Sequence, residues 1–410
     1  MIPEGWKEAS LGELFEFKNG LNGEKSLYGT GTKFANVMDV FRGPCLMQED
    51  ITGSMQVTDR QLQHYGLLRG DVLFNRTSET DDEIAMASVF LDDQPAVFGG
   101  FVIRARPLGN RLMPEFCAHA FQIDEMRREL IKRGQGAVRA NIGQKDLAKV
   151  LIKVPPSCEQ RQIAKILQTW DRAIESVEAL IANARAQKQA LMQQLLPQGT
   201  TPPKKRLPGF AGEWRKLRIG DVAKDISERA GEGTSFPVLS CSKYDGMVES
   251  LTYFKKKVYS DDTSNYKVMR HGTFGFPSNH IEEGSIGYQD LFDAGIVSPI
   301  YCVFATDEQV EDGFLYKLLK TDRYRQIFAA ATNASVDRRG SLRWKEFSRI
   351  PLPLPPLEEQ RAINEAVSAV ADVERGYETQ LTALRQEKAA LMQQLLTGKR
   401  RVKLPENEVV

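Results

Sequence analysis

The sequence repeats itself at an offset of 200 residues. Residues 188–196 read KQALMQQLL and residues 388–396 read KAALMQQLL, differing only at Gln189 against Ala389. The same offset sets PPSCEQRQI (155–163) against PPLEEQRAI (355–363). Upstream the match is fainter but keeps its order. Trp6 with Leu-Gly-Glu at Gly12 parallels Trp214 with Ile-Gly-Asp at Gly220, LLRGDVLF (67–74) parallels VMRHGTFGF (268–276), and GGFVIRAR (99–106) parallels GIVSPIYCVFA (295–305). Solenoid units are roughly 20–45 residues long, so this period is not a solenoid. It requires a duplicated unit, one globular domain followed by one helix.

The helix half is readable residue by residue. Pro155-Pro156 cannot continue a helix from upstream, and from Glu159 to Leu196 the chain is free of Pro and Gly. Its apolar positions are Ile163, Leu167, Trp170, Ile174, Val177, Ile181, Ala184, Leu191 and Leu195, spaced alternately four and three apart with Lys188 in the missing slot. That is a heptad seam sustained over about five heptads, on a helix of about 55 Å. The second copy repeats it through Ile363, Val367, Val370, Tyr377, Leu381, Leu384, Leu391 and Leu395, with Lys388 and Glu374 as interruptions. A core-facing helix also carries an apolar stripe. A narrow seam of this length, present twice, points instead to the two helices pairing with each other. Lys188 and Lys388 are then either register-setting or partner-facing residues, or lysines that snorkel out of a loose seam.

The globular halves consist of short apolar runs separated by Gly, Pro, Asn and Asp turns, which predicts mixed α/β domains. Single helices are expected over 114–133 and 312–330. The resulting plan is a first domain over 1–154, a helical segment over 155–196, a Pro/Gly-rich linker over 197–214, a second domain over 215–354, a helical segment over 355–396 and a basic tail over 397–410. The tail's TGKRRVKLP resembles the linker's KKRLP.

Several functional classes find no support. No run approaches eighteen consecutive apolar residues, and MIPEGWKEAS has neither a basic nor an apolar signal region, so the expectation is a cytoplasmic chain without a membrane span. Cys45, Cys117, Cys158, Cys241 and Cys302 are scattered with no CxxC pair, and the four histidines form no HExxH, so no metal site is expected. Gly398-Lys399-Arg400 is not a phosphate loop, and each candidate GxGxxG lacks its third glycine. Together these absences argue against a catalytic or cofactor-binding role for this chain.

What remains is polar and basic loop chemistry, in equivalent places in both halves. One loop follows the strand of LLRGDVLF and carries Arg76, Thr77 and Ser78; its counterpart carries Ser278, Asn279 and His280. The other holds Arg139, Asn141 and Lys145 within RGQGAVRANIGQKD (133–146), and Arg338, Arg339 and Arg343 within TNASVDRRGSLRWKE (332–346). Such side chains grip phosphates or read base edges, although any one of them alone is as well explained by a solvated loop. Residues 1–154 hold 19 basic against 21 acidic groups. A DNA reader with that balance must gather its basic groups on one face or borrow affinity from a partner.

Two domains, each closed by a Pro-Pro-x-x-Glu-Gln motif and a long helix ending in LMQQLL, resemble the specificity subunit of type I restriction–modification systems. IPEGW (2–6) and RLPGFAGEW (206–214) are similar to that family's domain openings, whereas Ser157-Cys158 departs from its usual Leu and polar or acidic pair. The resemblance implies two target recognition domains, each reading half of a bipartite site on double-stranded DNA. It further implies an antiparallel coiled coil as spacer, giving a tandem repeat with pseudo-two-fold symmetry. The partners would be two methylation subunits binding S-adenosylmethionine, together with restriction subunits that use ATP and Mg; this chain itself would hold no cofactor and catalyse nothing. Seam residues Ile163, Leu167, Trp170, Lys188, Leu191, Leu195, Ile363, Val367, Lys388, Leu391 and Leu395 would serve pairing or docking. The rival readings are a stand-alone bivalent DNA-binding regulator and a coiled-coil adaptor with no DNA role.

Overall fold

Two 39-residue helices, Ser157–Leu195 and Leu357–Leu395, organise the chain. In this computed structural model the described residues are 2–135, 140–197, 202–333 and 341–404. They divide into two units: Met1–Glu178 with Thr379–Val410, and Ala179–Glu378. Each unit therefore contains one domain, the first half of the helix that follows it and the second half of the other helix.

In the first unit Lys7–Ser10 pairs antiparallel with Leu151–Val154, closing the domain where its long helix departs. A five-stranded sheet runs in the order Phe15–Asn19, Val102–Pro107, Val72–Asn75, Ala87–Phe90, Cys45–Leu46, and a three-stranded one joins Ser54–Met55, Tyr28–Ala35 and Ala96–Phe98. Val72–Asn75 is buried at all four positions, which is why its sequence is a continuous apolar run and not an alternating one. Asp71 at its start is buried and accepts two hydrogen bonds from Arg106, at 2.9 and 2.7 Å. The core of Phe74, Phe116, Phe121 and Leu130 extends onto Ile163 and Leu167 of the first helix and Leu395 and Leu396 of the second.

The second unit repeats the frame. Arg215–Arg218 pairs with Pro351–Leu354, and the central sheet runs Ala223–Asp225, Tyr301–Thr306, Phe274–Pro277, Gly287–Tyr288. Its core of Phe274, Phe276, Phe304, Phe314 and Phe347 likewise takes in Leu195, Leu196 and Ile363. Gly12 and Gly220, matched by the repeat, do the same job. Each donates its N–H across the clasp, to Ala148 O at 2.9 Å and Ser348 O at 2.8 Å. A Cβ would lie 3.1 Å from Ala148 Cβ in one and 2.9 Å from Ser348 Cβ in the other, so both positions call for glycine.

The single helices expected over 114–133 and 312–330 are each two: Pro114–Ala120 and Asp124–Lys132, then Asp312–Leu319 and Asp322–Asn333. Each second helix opens on an aspartate, whose charge favours a helix N-terminus. In the later copy Thr321 Oγ1 accepts from Tyr324 N at 3.4 Å, a helix start that the apolar spacing conceals.

The Glu-Gln of the repeated motif anchors each long helix. Gln160, fully buried, accepts from Met113 N and donates to Arg111 O and Pro155 O. Gln360 does the same with Glu311 N, Gln309 O and Pro355 O. The preceding glutamates receive the arginines of the two basic stretches: Glu159 pairs with Arg401, and Glu359 with Arg206. The likeness of TGKRRVKLP to KKRLP thus has a structural cause. One difference is that Trp6 Nε1 donates to Glu159 at 3.2 Å, while Trp214 Nε1 is buried with no partner among the described residues.

The helices pair antiparallel as a coiled coil. In the first unit Lys388 binds Asp171 and Arg385 binds Glu178; in the second Lys188 binds Glu374 and Arg185 binds Glu374 and Glu378. Residue numbers rise along one helix as they fall along the other. All the apolar seam positions are buried or half-buried. Trp170 and Leu191 are half-buried, as are Lys188 and Lys388, whose ammonium groups meet carboxylates and do not run free into solvent. Glu374, the other interruption of the pattern, is the partner of Lys188. Burial pushes its carboxyl up, but hydrogen bonds from Lys188 and Arg185 outweigh that and hold it below its ordinary value.

Candidate nucleic-acid interface

The polar loops singled out in the sequence are brought together by backbone hydrogen bonds. In the first domain the chain leaves Val72–Asn75 at Arg76, and Thr77–Ser78 pairs antiparallel with Ala140–Asn141. Arg76 O accepts from Ile142 N at 3.0 Å, and Thr77 Oγ1 donates to Asn141 Oδ1 at 2.8 Å. Arg76, Asn141 and Lys145 are exposed, Lys145 on the short helix Gln144–Leu147. Two stretches more than sixty residues apart thus form one surface, which presents a guanidinium, an amide and an ammonium. Arg139 lies outside the described residues.

The second domain repeats one of these backbone bonds with other side chains. Ser278 O accepts from Leu342 N at 2.8 Å, joining the equivalent segments. Arg343 is exposed at the start of the short helix Trp344–Phe347. It lines a cleft of about 360 Å³ with Lys267, Asp225, Ser278, Ile300 and Trp344. Asn279 is half-buried. His280 is exposed, with Nδ1 3.2 Å from Glu283 Oε1. Arg338 and Arg339 lie outside the described residues.

Two candidates need correction. Ser78 and Ser278 are buried, 6% and 8% exposed. Ser78 Oγ donates to Glu83 at 3.1 Å and accepts from Thr80 N, so it holds its own loop. Ser278 directly follows Phe274–Pro277, which is buried at all four positions, and stays covered with it.

Among the described residues His280, Glu282 and Glu283 bring ligand-type atoms within 4.8 Å of one another. The i,i+3 contact of His280 with Glu283 accounts for that grouping, and no metal chemistry is assigned to it. A third segment, missed in the sequence, completes each surface. Arg76 N donates to Phe101 O at 2.8 Å and Ser278 N to Ile300 O at 3.3 Å, so a tight turn abuts the strand end in both domains. The signal was available as a large apolar residue in the turn between two apolar runs, in GGF and in SPI.

Comparison with known proteins agrees with this architecture. Residues 3–184 match the family described as the type I restriction modification DNA specificity domain. A putative type I restriction enzyme MjaX specificity subunit of Methanocaldococcus jannaschii is 22% identical over 427 residues, covering 98% of this chain and 95% of the relative. The type I restriction enzyme EcoKI specificity subunit of Escherichia coli is 25% identical over 188 residues, 45% of this chain and 39% of that protein. Among solved structures, the type I restriction–modification S subunit from M. genitalium aligns with a TM-score of 0.56 at 17% identity, covering 96% of both chains. The HsdS subunit from Thermoanaerobacter tengcongensis gives 0.52 at 19% identity, over 97% of this chain and 98% of that one. The family match thus takes in the first domain and the first part of its helix, and the likeness to a type I specificity subunit in sequence, and to solved S subunits in fold, extends over nearly the whole chain. Among the described residues no helix is long and apolar enough to cross a membrane.

Proposed function

We propose that this chain is the DNA sequence-recognition component of a type I restriction–modification complex, with domains 1–154 and 215–354 each reading one half of a bipartite, asymmetric site. The observation that carries the reading is the repeated backbone bond, Ile142 N to Arg76 O and Leu342 N to Ser278 O, which joins different side chains in its two copies. A frame that is the same twice with unlike contacts suits two unlike half-sites. Arg76, Asn141 and Lys145 would serve one half and Asn279, His280 and Arg343 the other, contacting base edges or phosphates. Methyl transfer from S-adenosylmethionine, and any ATP- and Mg-dependent cleavage, would be the work of partner subunits, two methylation subunits among them. The helices would set the unread spacer and offer the docking surface.

The test is to compare modified bases genome-wide with and without the gene, in cells carrying the cognate methylation subunit. Loss of one bipartite methylated motif is expected. An unchanged methylome, together with tight specific binding by the lone chain, would favour the stand-alone regulator.

A further inference from the structure

Phe101 is 66% exposed and Ile300 is 45% exposed, although both adjoin strands that are almost wholly buried. They hold the same place in the fold. Val102 N donates to Gly99 O at 2.9 Å, and Tyr301 N donates to Ser298 O at 2.9 Å. Each pair closes a four-residue turn, Gly99-Gly100-Phe101-Val102 and Ser298-Pro299-Ile300-Tyr301, with the apolar side chain at its third position. The carbonyls of these same two residues accept from Arg76 N and Ser278 N, so each turn is backbone-bonded to the strand end of the reading surface.

Both turns are held in their backbone. Gly99 N donates to Ala35 O at 2.9 Å, and a Cβ on Gly99 would lie 2.7 Å from the Phe34 ring. In the second copy Pro299 fixes its own φ at the second turn position. A large apolar group held out in water on a fixed turn contributes little to the fold. Finding it twice, at one structural position beside the polar candidates, points to a ligand with apolar surface.

We propose that Phe101 and Ile300 are specificity contacts, each packing against the C5-methyl group of a thymine in the half-site read by its own domain. In the major groove that methyl is the one apolar feature of the base-pair code, and it lies among the hydrogen-bonding groups that polar neighbours such as Arg76 and Asn141 would address. This inference rests on the proposed DNA-recognition function and sharpens it to one chemical group.

The experiment uses the chain assembled with its cognate methylation subunit. The methylated motif is mapped first, and a preparation yielding no gene-dependent motif would refute the underlying function before the contacts are probed. Binding is then measured on duplexes in which each thymine of the motif is replaced singly by deoxyuridine, which lacks the methyl group. For the unsubstituted protein, one thymine in each half-site should lose about fourfold in affinity, the worth of one buried methyl. Phe101→Ala should abolish that sensitivity in one half-site and keep it in the other, and Ile300→Ala should do the reverse. Phe101→Leu, which stays apolar, should retain it. Full affinity of the unsubstituted protein for every deoxyuridine duplex would overturn the proposal, as would half-sites without thymine. So would an Ala variant that weakens all sequences alike.

Discussion

The two domains hold their candidate surfaces by the same backbone bonds and furnish them differently. In the first, Arg76, Asn141 and Lys145 stand exposed around the Phe101 turn. In the second, the equivalents of Arg76 and Thr77 are a buried serine and a half-buried asparagine, and Arg343 and Lys267 line a cleft beside Ile300. The bonds kept in both copies run between main-chain atoms, which any side chain permits. Side chains that fill a buried polar role are kept in both, as Gln160 and Gln360 show. Duplication therefore preserved what the frame needs and released what a ligand would touch.

The largest expected effect tests that equivalence. Gln160→Leu and Gln360→Leu each strand one buried N–H and deprive two carbonyls of a donor, at a cost of about 3 kcal/mol or more. Denaturant unfolding followed in both units should find the two variants equally damaged. A cost confined to one copy would break the comparison.

The charged anchors should separate the copies. Arg206→Ala leaves the fully buried Glu359 carboxylate without its partner and should cost about 3 kcal/mol. Arg401→Ala should cost less, because Arg401 is 44% exposed and Glu159 keeps the indole of Trp6 as a donor. Unfolding midpoints of the two variants measure the difference.

Acid should also act on one unit first. His119 and Lys317 occupy equivalent places facing the long helices. Burial pushes His119 well below its usual range, and the nearby Lys388 adds to that against the pull of Asp171, 3.9 Å away. A folded value below the unfolded one means that the unfolded chain binds the proton first. Stability is thus complete above about pH 6.5 and falls as the pH drops below it. Lys317, whose value burial lowers, is bonded to Asn364 and Ser368, and no histidine stands in its place. His119→Phe should flatten the pH dependence of first-unit stability between pH 6.5 and 5, and leave the second unit unchanged.

The smallest effect lies in the seam. Lys188→Leu removes one of the two cations on Glu374 and should cost about 1 kcal/mol in helix-pair stability. Lys188→Leu with Glu374→Leu together should recover most of that loss. A double variant as unstable as the single one would mean that the polar pair is not a self-contained register mark.

The sequence carried the architecture because periodicity and duplication are local signals. The 200-residue offset disclosed two domain–helix units, and the four-three spacing of Ile163 to Leu195 disclosed a paired helix. It also marked Lys188, Lys388 and Glu374 as exceptions without saying which would meet, since partner choice depends on the direction in which the helices pass. The break at Asp124 was hidden because apolar spacing continues through the turn.

What the sequence alone determined, then, is the plan: repeat, seam, domain order and the loops rich in Arg, Asn and Lys. Tertiary structure alone decided which of those residues share a surface. Arg76 and Ile142 become neighbours through one backbone hydrogen bond although they lie sixty-six positions apart in sequence, a contact with no periodic trace. Ser78 and Ser278 read as polar loop residues and proved buried, because burial there is set by the segments that pack over the strand end and not by polarity. Phe101 and Ile300 sit in apolar runs yet are exposed, because a turn falls within each run. Hydrophobicity reports average burial along a segment, and a single exposed side chain on a rigid turn is decided by the hydrogen bonds that place it.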